Sequence, residues 1–201
     1  MTLRIERFSG KGFENYVDAL AGLRIEVFRD FPYLYEGSLE YEQKYIGTYL
    51  GAEDSVIVIA FDGERVIGAS TGMPMAAETD EVKAPFLEHG YDPSKIFYFG
   101  ESVLQKNYRG QGLGVRFFEQ REAHAVSSGR FDRTCFCAVQ RPADHPARPA
   151  NYVPLDEFWG KRGYKKHPEL NTTFSWRDVG DADESAKPMM FWIKQLPDRK
   201  G

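Results

Sequence analysis

The stretch NYRGQGLGVRFFEQREAHA, residues 107–125, sets Gly110, Gly112 and Gly114 within five positions and then continues as a helical pattern. Glycine inside a helix costs roughly 1 kcal/mol against alanine, so three of them where a helix must start need a reason. The first amides of a helix have no partners within it, and the helix dipole favours negative charge at that end. Where no Cβ stands in the way, a phosphate can come directly onto those amides. KIFYFGESVLQ (95–105) reads as a strand ahead of the glycines, and a helix over 112–126 follows them. Strand, glycine turn and helix together make an anion site; the alternative is a tight turn that only needs positive φ. One glycine would favour the turn. Three of them, in Arg109-Gly110-Gln111-Gly112-Leu113-Gly114, favour a bound anion.

The rest of the chain reads outward from this unit. LRIERF (3–8) alternates like a short strand. From Glu14 onward, Tyr16, Leu20, Leu23 and Val27 recur at helical spacing, until Phe31-Pro32 stops the segment. Ser38 is a suitable N-cap for a second helix reaching Leu50. SVIVIAF (55–61) and RVIGASTGM (65–73) form strands about an Asp62-Gly63 hairpin turn. RTCFCAV (133–139) is a strand, RPADHPARPANYVP (141–154) a proline-stiffened loop, and LDEFWGKRG (155–163) a short helix. NTTFSW (171–176) and PMMFWIKQL (188–196) close the order as two strands. The order predicts one α/β domain over 1–201 with a mixed sheet and no internal repeat.

With 201 residues, 42% of them hydrophobic and 28% charged, the composition is that of a soluble globular protein. A formal charge of −4 argues against a general nucleic-acid binder, which presents a basic face. No window is apolar enough for a signal peptide or a membrane span, so no membrane partner is expected. Cys135 and Cys137 are too few for a disulfide framework or a zinc site, and no metal is expected. Two free thiols in alternation suggest a reducing, cytoplasmic setting.

Glycines in a strand–turn–helix unit also occur in dinucleotide-binding oxidoreductases, but there an acid follows about 20 residues on, at the end of the next strand. Here Asp132 precedes its strand, the glycines are spaced differently, and antiparallel hairpins surround the unit. The six residues from Arg109 to Gly114 instead resemble the Arg/Gln-x-x-Gly-x-Gly/Ala motif of the GCN5-related N-acetyltransferases. SVLQKNY (102–108) resembles that superfamily's fourth strand, FWGKRGY (158–164) its second motif, and the element order matches over nearly the whole chain. The resemblance implies a single-domain, mostly antiparallel sheet flanked by helices and splayed at the fourth and fifth strands. It implies acetyl-CoA as co-substrate, its pyrophosphate on the amides of Gly110, Gln111, Gly112, Leu113, Gly114 and Val115, with Arg109 at the head of the motif as a further cofactor contact. Its pantetheine would pair with the backbone of Val103 and Leu104, and the acceptor would be the primary amine of a small molecule or peptide.

Acyl transfer to an amine requires a proton acceptor, donors for the oxyanion and a way out for the thiolate. Glu101, in a strand otherwise apolar, is the candidate base; a carboxylate paired with an arginine to hold the sheet is the equal alternative. Many relatives carry a tyrosine as general acid where this chain has Trp159, whose indole N–H donates a hydrogen bond but gives up no proton. Tyr152 is the candidate replacement, against a reading as a packing tyrosine. The trade of tyrosine for tryptophan keeps open a non-catalytic acyl-CoA-binding module as the alternative function. Arg109 and Arg116 either reach CoA phosphates or are surface charge. His145, Asp144 and Arg148 either touch substrate or belong to a solvated loop, and His124 reads as structural. Glu122 interrupts the apolar side of its helix, and the sequence offers no reason for it.

On the second helix Leu39, Ile46 and Leu50 form one face, while Tyr41, Tyr45 and Tyr49 form a stripe about 120° round, beside Glu42. Two faces imply two neighbours: the sheet, and either an acceptor pocket or the partner in a homodimer. With Phe28, Phe31, Tyr33 and Tyr35 nearby, the region is aromatic and mildly acidic, suited to a cationic or aromatic amine. Tyr33, Tyr41 and Tyr45 are the candidate substrate contacts.

Overall fold

A computed structural model describes residues 2–197. Strand β1 (Leu3–Phe8) leads through a 3₁₀ turn into helices α1 (Val17–Phe28) and α2 (Leu39–Gly51). Then come β2 (Val56–Asp62), β3 (Arg65–Pro74), α3 (Asp80–Glu88), β4 (Ile96–Tyr98), β5 (Ser102–Leu104) and α4 (Leu113–Ser128). The chain closes with β6 (Arg133–Val139), α5 (Asp156–Gly160), β7 (Lys165–Trp176) and β8 (Ser185–Gln195). The sheet order is β1-β2-β3-β4-β6-β8-β7, with β5 also on β3, and β4–β6 is its parallel pair. This is the mixed, mostly antiparallel sheet flanked by helices that the sequence predicts.

β2 shows why its sequence is an unbroken apolar run: both faces are covered. Val56, Val58 and Ala60 pack in one cluster with Leu113, Phe117 and Ala125 of α4, while Ile57, Ile59 and Phe61 pack with Leu20, Leu23 and Ile46 of α1 and α2. Ser38 caps α2 as expected, accepting from the Tyr41 amide at 3.4 Å. Glu122 finds its reason across the sheet, accepting from the Tyr164 hydroxyl at 3.0 Å and pairing with Lys194 at 2.7 Å.

Several elements differ from the sequence reading, β7 among them, which begins at Lys165 and not at Asn171. Helix α3 falls in a stretch that carried no expected element; it is short and contains Pro85, though Val82, Pro85 and Phe86 do bury one side of it. The first helix begins at Val17, because the Gly10–Tyr16 segment winds more tightly. Leu39 is about half exposed and lies outside the core face of α2.

The largest difference decides the site. The strand expected over 95–105 breaks at Phe99-Gly100-Glu101: β4 ends against β6, and β5 pairs only with β3. Beyond Phe99, whose amide still reaches Cys135 O at 2.8 Å, β5 and β6 part company, so the sheet opens where the splay is expected. Arg121 of α4, 1% exposed, holds the break from below. Its guanidinium donates to Thr71 O and Glu101 O at 3.1 Å each and to Ser102 Oγ at 2.8 Å. Burial lowers its pKa to about 10, which leaves it charged at neutral pH. Gly100 is required by space, since a Cβ there would collide with the Tyr49 hydroxyl and lie 2.7 Å from Thr71 Oγ1. Gly100→Ala is therefore expected to cost about 1–3 kcal/mol in urea unfolding, the usual penalty of overpacking.

Candidate functional site

The glycine turn leaves helix-start amides free. Gly110 and Gly112 take left-handed backbone, φ +78° and +82°, which only glycine adopts without strain. Gly112 O accepts from Val115 and Arg116, at 3.0 and 3.1 Å, and no side chain caps the helix. Among the described residues, the amides of residues 110–114 have no hydrogen-bond partner. Val115, expected in the anion site, already gives its amide to the helix. Gly114 has a different role from the other two: a Cβ there would sit 3.4 Å from Phe158, so its smallness serves the packing of α4 on α5. Arg109 turns back, its Nε donating to Leu104 O at 3.1 Å.

The open edge of β5 is read from its phase. Gln105 donates to Ile67 O, and Thr71 donates to Glu101 O, each at 3.0 Å. Residues 101, 103 and 105 therefore direct their backbone groups at β3, while Ser102 and Leu104 direct theirs into the gap. Of the two residues expected to pair with pantetheine, Leu104 turns its backbone to the gap, whereas Val103 pairs with Ala69 of β3; Ser102 is the other residue that faces the gap. The glycine turn starts just past the end of this edge, so free amides adjoin a gap-facing strand edge whose Leu104 carbonyl accepts from Arg109 Nε.

Next to the gap is a cleft of about 1030 Å³. Tyr33 and, from the stripe, Tyr41 and Tyr45 line it, together with Phe28, Tyr35, Tyr98, Phe174 and Trp176. Tyr49, the third residue of the stripe, is buried behind the wall and hydrogen-bonds Tyr45 hydroxyl to hydroxyl at 3.0 Å. Burial first, then Glu101, raises the Tyr45 pKa well above that of a free phenol.

Glu101 lies on the floor of this cleft, almost buried. Its Oε2 is held by Arg24 at 2.7 Å and by the Tyr45 hydroxyl at 3.0 Å. Arg24 also pairs with the fully buried Glu42. Burial alone would lower the Arg24 pKa, but Glu101, Tyr45 and Glu42 outweigh it and raise it well above its ordinary value. Glu101 is thus both the arginine-paired carboxylate and a wall of the cleft. Its Oε1 accepts no hydrogen bond among the described residues.

One residue of this cleft carries no signal in the sequence. Glu78, just after β3, is half-buried in the cleft, with Thr79 N at 3.3 Å as its hydrogen-bond donor. It belongs to no periodic pattern or motif, and only the fold brings it beside Glu101.

The remaining candidates lie elsewhere. Tyr152 packs edge-on against Phe31 at 4.7 Å, with Arg148 over its ring at 4.9 Å, and it is not part of the cleft wall. His145 also leans on Phe31, at 5.7 Å, so this loop closes over the α1–α2 connection. Arg141 fastens that connection with a two-pronged pair to Asp178, at 2.7 and 2.9 Å, and bonds to Pro32 O and Tyr33 O. Trp159 packs at 5.0 Å on Phe136 and at 5.2 Å on Trp192. His124 binds Asp54 O at 2.8 Å, a structural contact as expected. Among the described residues, no group of three His, Cys, Asp or Glu side chains is placed to hold a metal, and no helix is long and apolar enough to cross a membrane.

No family model and no curated protein matches this sequence. Solved structures do. An N-acetyltransferase from Staphylococcus aureus Mu50 aligns at TM-score 0.63 and 11% identity, over 98% of this chain and all of its own. A ribosomal-protein-alanine N-acetyltransferase from Brucella melitensis aligns at TM-score 0.63 and 12% identity, over 96% and 99%. A Salmonella typhimurium protein solved with its cofactor acetyl-CoA aligns at TM-score 0.60 and 10% identity, over 100% and 98%. At such identities the likeness is one of fold: the chain has the fold of the GCN5-related N-acetyltransferases from end to end.

Proposed function

We propose that this chain is an acetyl-CoA-dependent N-acetyltransferase, in which a primary amine attacks the thioester directly in a ternary complex. One observation carries the reading: five unpartnered amides at a helix start adjoin the gap-facing edge of β5, and Glu101 stands between that edge and an aromatic cleft. A diphosphate fits the amides, because the helix start supplies donors and positive potential without a cation. A pantetheine amide fits the edge at Ser102 and Leu104. The cleft supplies aromatic faces and carboxylates, a combination that attracts cationic and aromatic amines.

In this arrangement Arg24 and Tyr45 fix Glu101, so the carboxylate is positioned before the acceptor arrives. Arg121 binds the carbonyls of Thr71 and Glu101 and so fixes the break against β3. No phenol stands at the Trp159 position, and Tyr152 packs away from the cleft. The thiolate leaves on hydrogen-bond stabilisation and is protonated by solvent. The acceptor is a small-molecule or peptide amine, and the tyrosine stripe faces it.

The packing of Trp159 on Phe136 and Trp192 favours the second reading, an acyl-CoA-binding module without chemistry, because it leaves no acid at that position. Release of free CoA thiol, measured with a panel of primary amines, separates the two. Turnover supports transfer; tight acetyl-CoA binding with no thiol released from any amine supports the module.

A further inference from the structure

The cleft contains a carboxylate that no cation of the protein neutralises. Among the described residues Glu78 has no ion-pair partner; Lys83, one turn into α3, pairs with Asp80 at 3.1 Å, and Glu101 is paired with Arg24. A half-buried carboxylate without a partner costs stability unless a ligand supplies the missing charge. An amine acceptor arrives as an ammonium, since alkyl amines have a pKa near 10, and must lose a proton before it can attack.

Resting on the transfer reaction proposed above, we propose that Glu78 receives the acceptor's ammonium in the cleft and takes its first proton, with Glu101 as the fixed neighbouring charge that orients the nitrogen. The ammonium gives one proton to Glu78, which becomes a neutral acid, and the nitrogen lone pair is freed. That pair forms the C–N bond at the thioester carbon. As the C–S bond breaks, sulfur keeps the bonding electrons, and the second nitrogen proton is lost to solvent while the thiolate gains one from it. Glu78 then returns its proton to solvent. The products are the N-acetyl amide, CoA thiol and one proton.

The setting of Glu78 suits this exchange. Burial pushes it up to about 7, with the Thr79 amide pulling the other way and Glu101 adding to the rise. The other ionisable groups around it are Tyr45 and Tyr49 of α2, Tyr98 of β4, Cys135 and Cys137 of β6, and Lys83 of α3. Burial raises all five phenols and thiols, so they stay protonated near neutrality. Glu78 alone in this set changes charge there.

The test compares wild type with Glu78→Gln, using a strongly basic arylalkyl amine, 2-phenylethylamine, and a weakly basic one that is uncharged at neutral pH, phenylhydrazine. With the basic amine, wild-type kcat/KM should rise with pH through about 7, and Glu78→Gln should lose about 100-fold together with that limb. With the weakly basic nucleophile the variant should keep its activity within about threefold, because no ammonium has to be discharged. Acetyl-CoA affinity should not change. A readout without turnover accompanies these. A carboxylate raised in the folded state favours folding at low pH and loses that contribution as pH rises through its folded value. Glu78→Gln should therefore raise Tm relative to wild type more at pH 8 than at pH 5. Equal losses with both amines, or no loss with either, overturn the role of Glu78 and leave transfer standing. A wild-type protein that binds acetyl-CoA but releases no thiol with either amine overturns the transfer reading, and this role with it.

Discussion

Arg24→Met should lower the unfolding free energy by about 3–5 kcal/mol, the cost of leaving buried carboxylates without their cation. Arg24 is nearly buried and serves two acids at once, Glu42 on α2 and Glu101 at the strand break. Glu42 is fully buried, and its Oε1 already lacks a partner, so removal of the guanidinium leaves that group with nothing to offset its burial. The side chain also covers the Phe28 and Tyr45 rings, at 5.0 and 4.1 Å, and methionine keeps part of that packing. The urea midpoint is the direct measurement. Adding Glu42→Gln to Arg24→Met should recover part of the loss, because the fault is an unpaired charge; a double variant no more stable than the single one would assign the loss to packing.

Glu101→Gln is expected to reduce kcat by at least about 100-fold, the usual range for a removed proton acceptor or its orienting charge. Acetyl-CoA affinity should stay nearly constant. Glu101 sits between the cleft and the splayed edge, and the free amides that would hold a diphosphate lie more than a strand away, at residues 110–114. Glutamine keeps the shape and the Tyr45 hydrogen bond, while the ion pair with Arg24 is lost. Thiol release and calorimetric binding, measured on the same preparation, check it. An equal fall in both would assign Glu101 to holding the sheet alone.

How much was legible in the sequence follows from how local each feature is. The glycine turn is encoded over six residues, and its left-handed glycines and free amides could be read there. The tyrosine stripe repeats every four residues on one helix, so a second face was readable, while the neighbour that meets it is set by distant strands. The break at Phe99-Gly100-Glu101 was hidden, because its cause is distant: Arg121 reaches across from α4, and Tyr49 fills the space beside Gly100. The same distance hid the phase of β5, which puts Ser102 and Leu104 on the open edge and Val103 on the paired one. Glu78 and Arg141 act through neighbours 23 to 109 positions away in sequence, Glu101 and Pro32 among them, and nothing in their own segments marks them. Tyr152 had two readings, an acid or a packing residue, and its own segment did not choose between them. Its place ahead of the second motif suggested chemistry, and Phe31, far upstream, turned it into packing.

Acetyl-CoA binding depends on amides at the start of α4 that are free to take a diphosphate. Backbone amide resonances of Gly110, Gln111, Gly112, Leu113 and Gly114, followed while coenzyme A is added, test this directly. These five should show the largest shifts in the protein, saturating together, and desulfo-CoA should reproduce them because it keeps the diphosphate. Unmoved glycine amides at saturating coenzyme A, or shifts confined to the tyrosine-lined cleft, would contradict it.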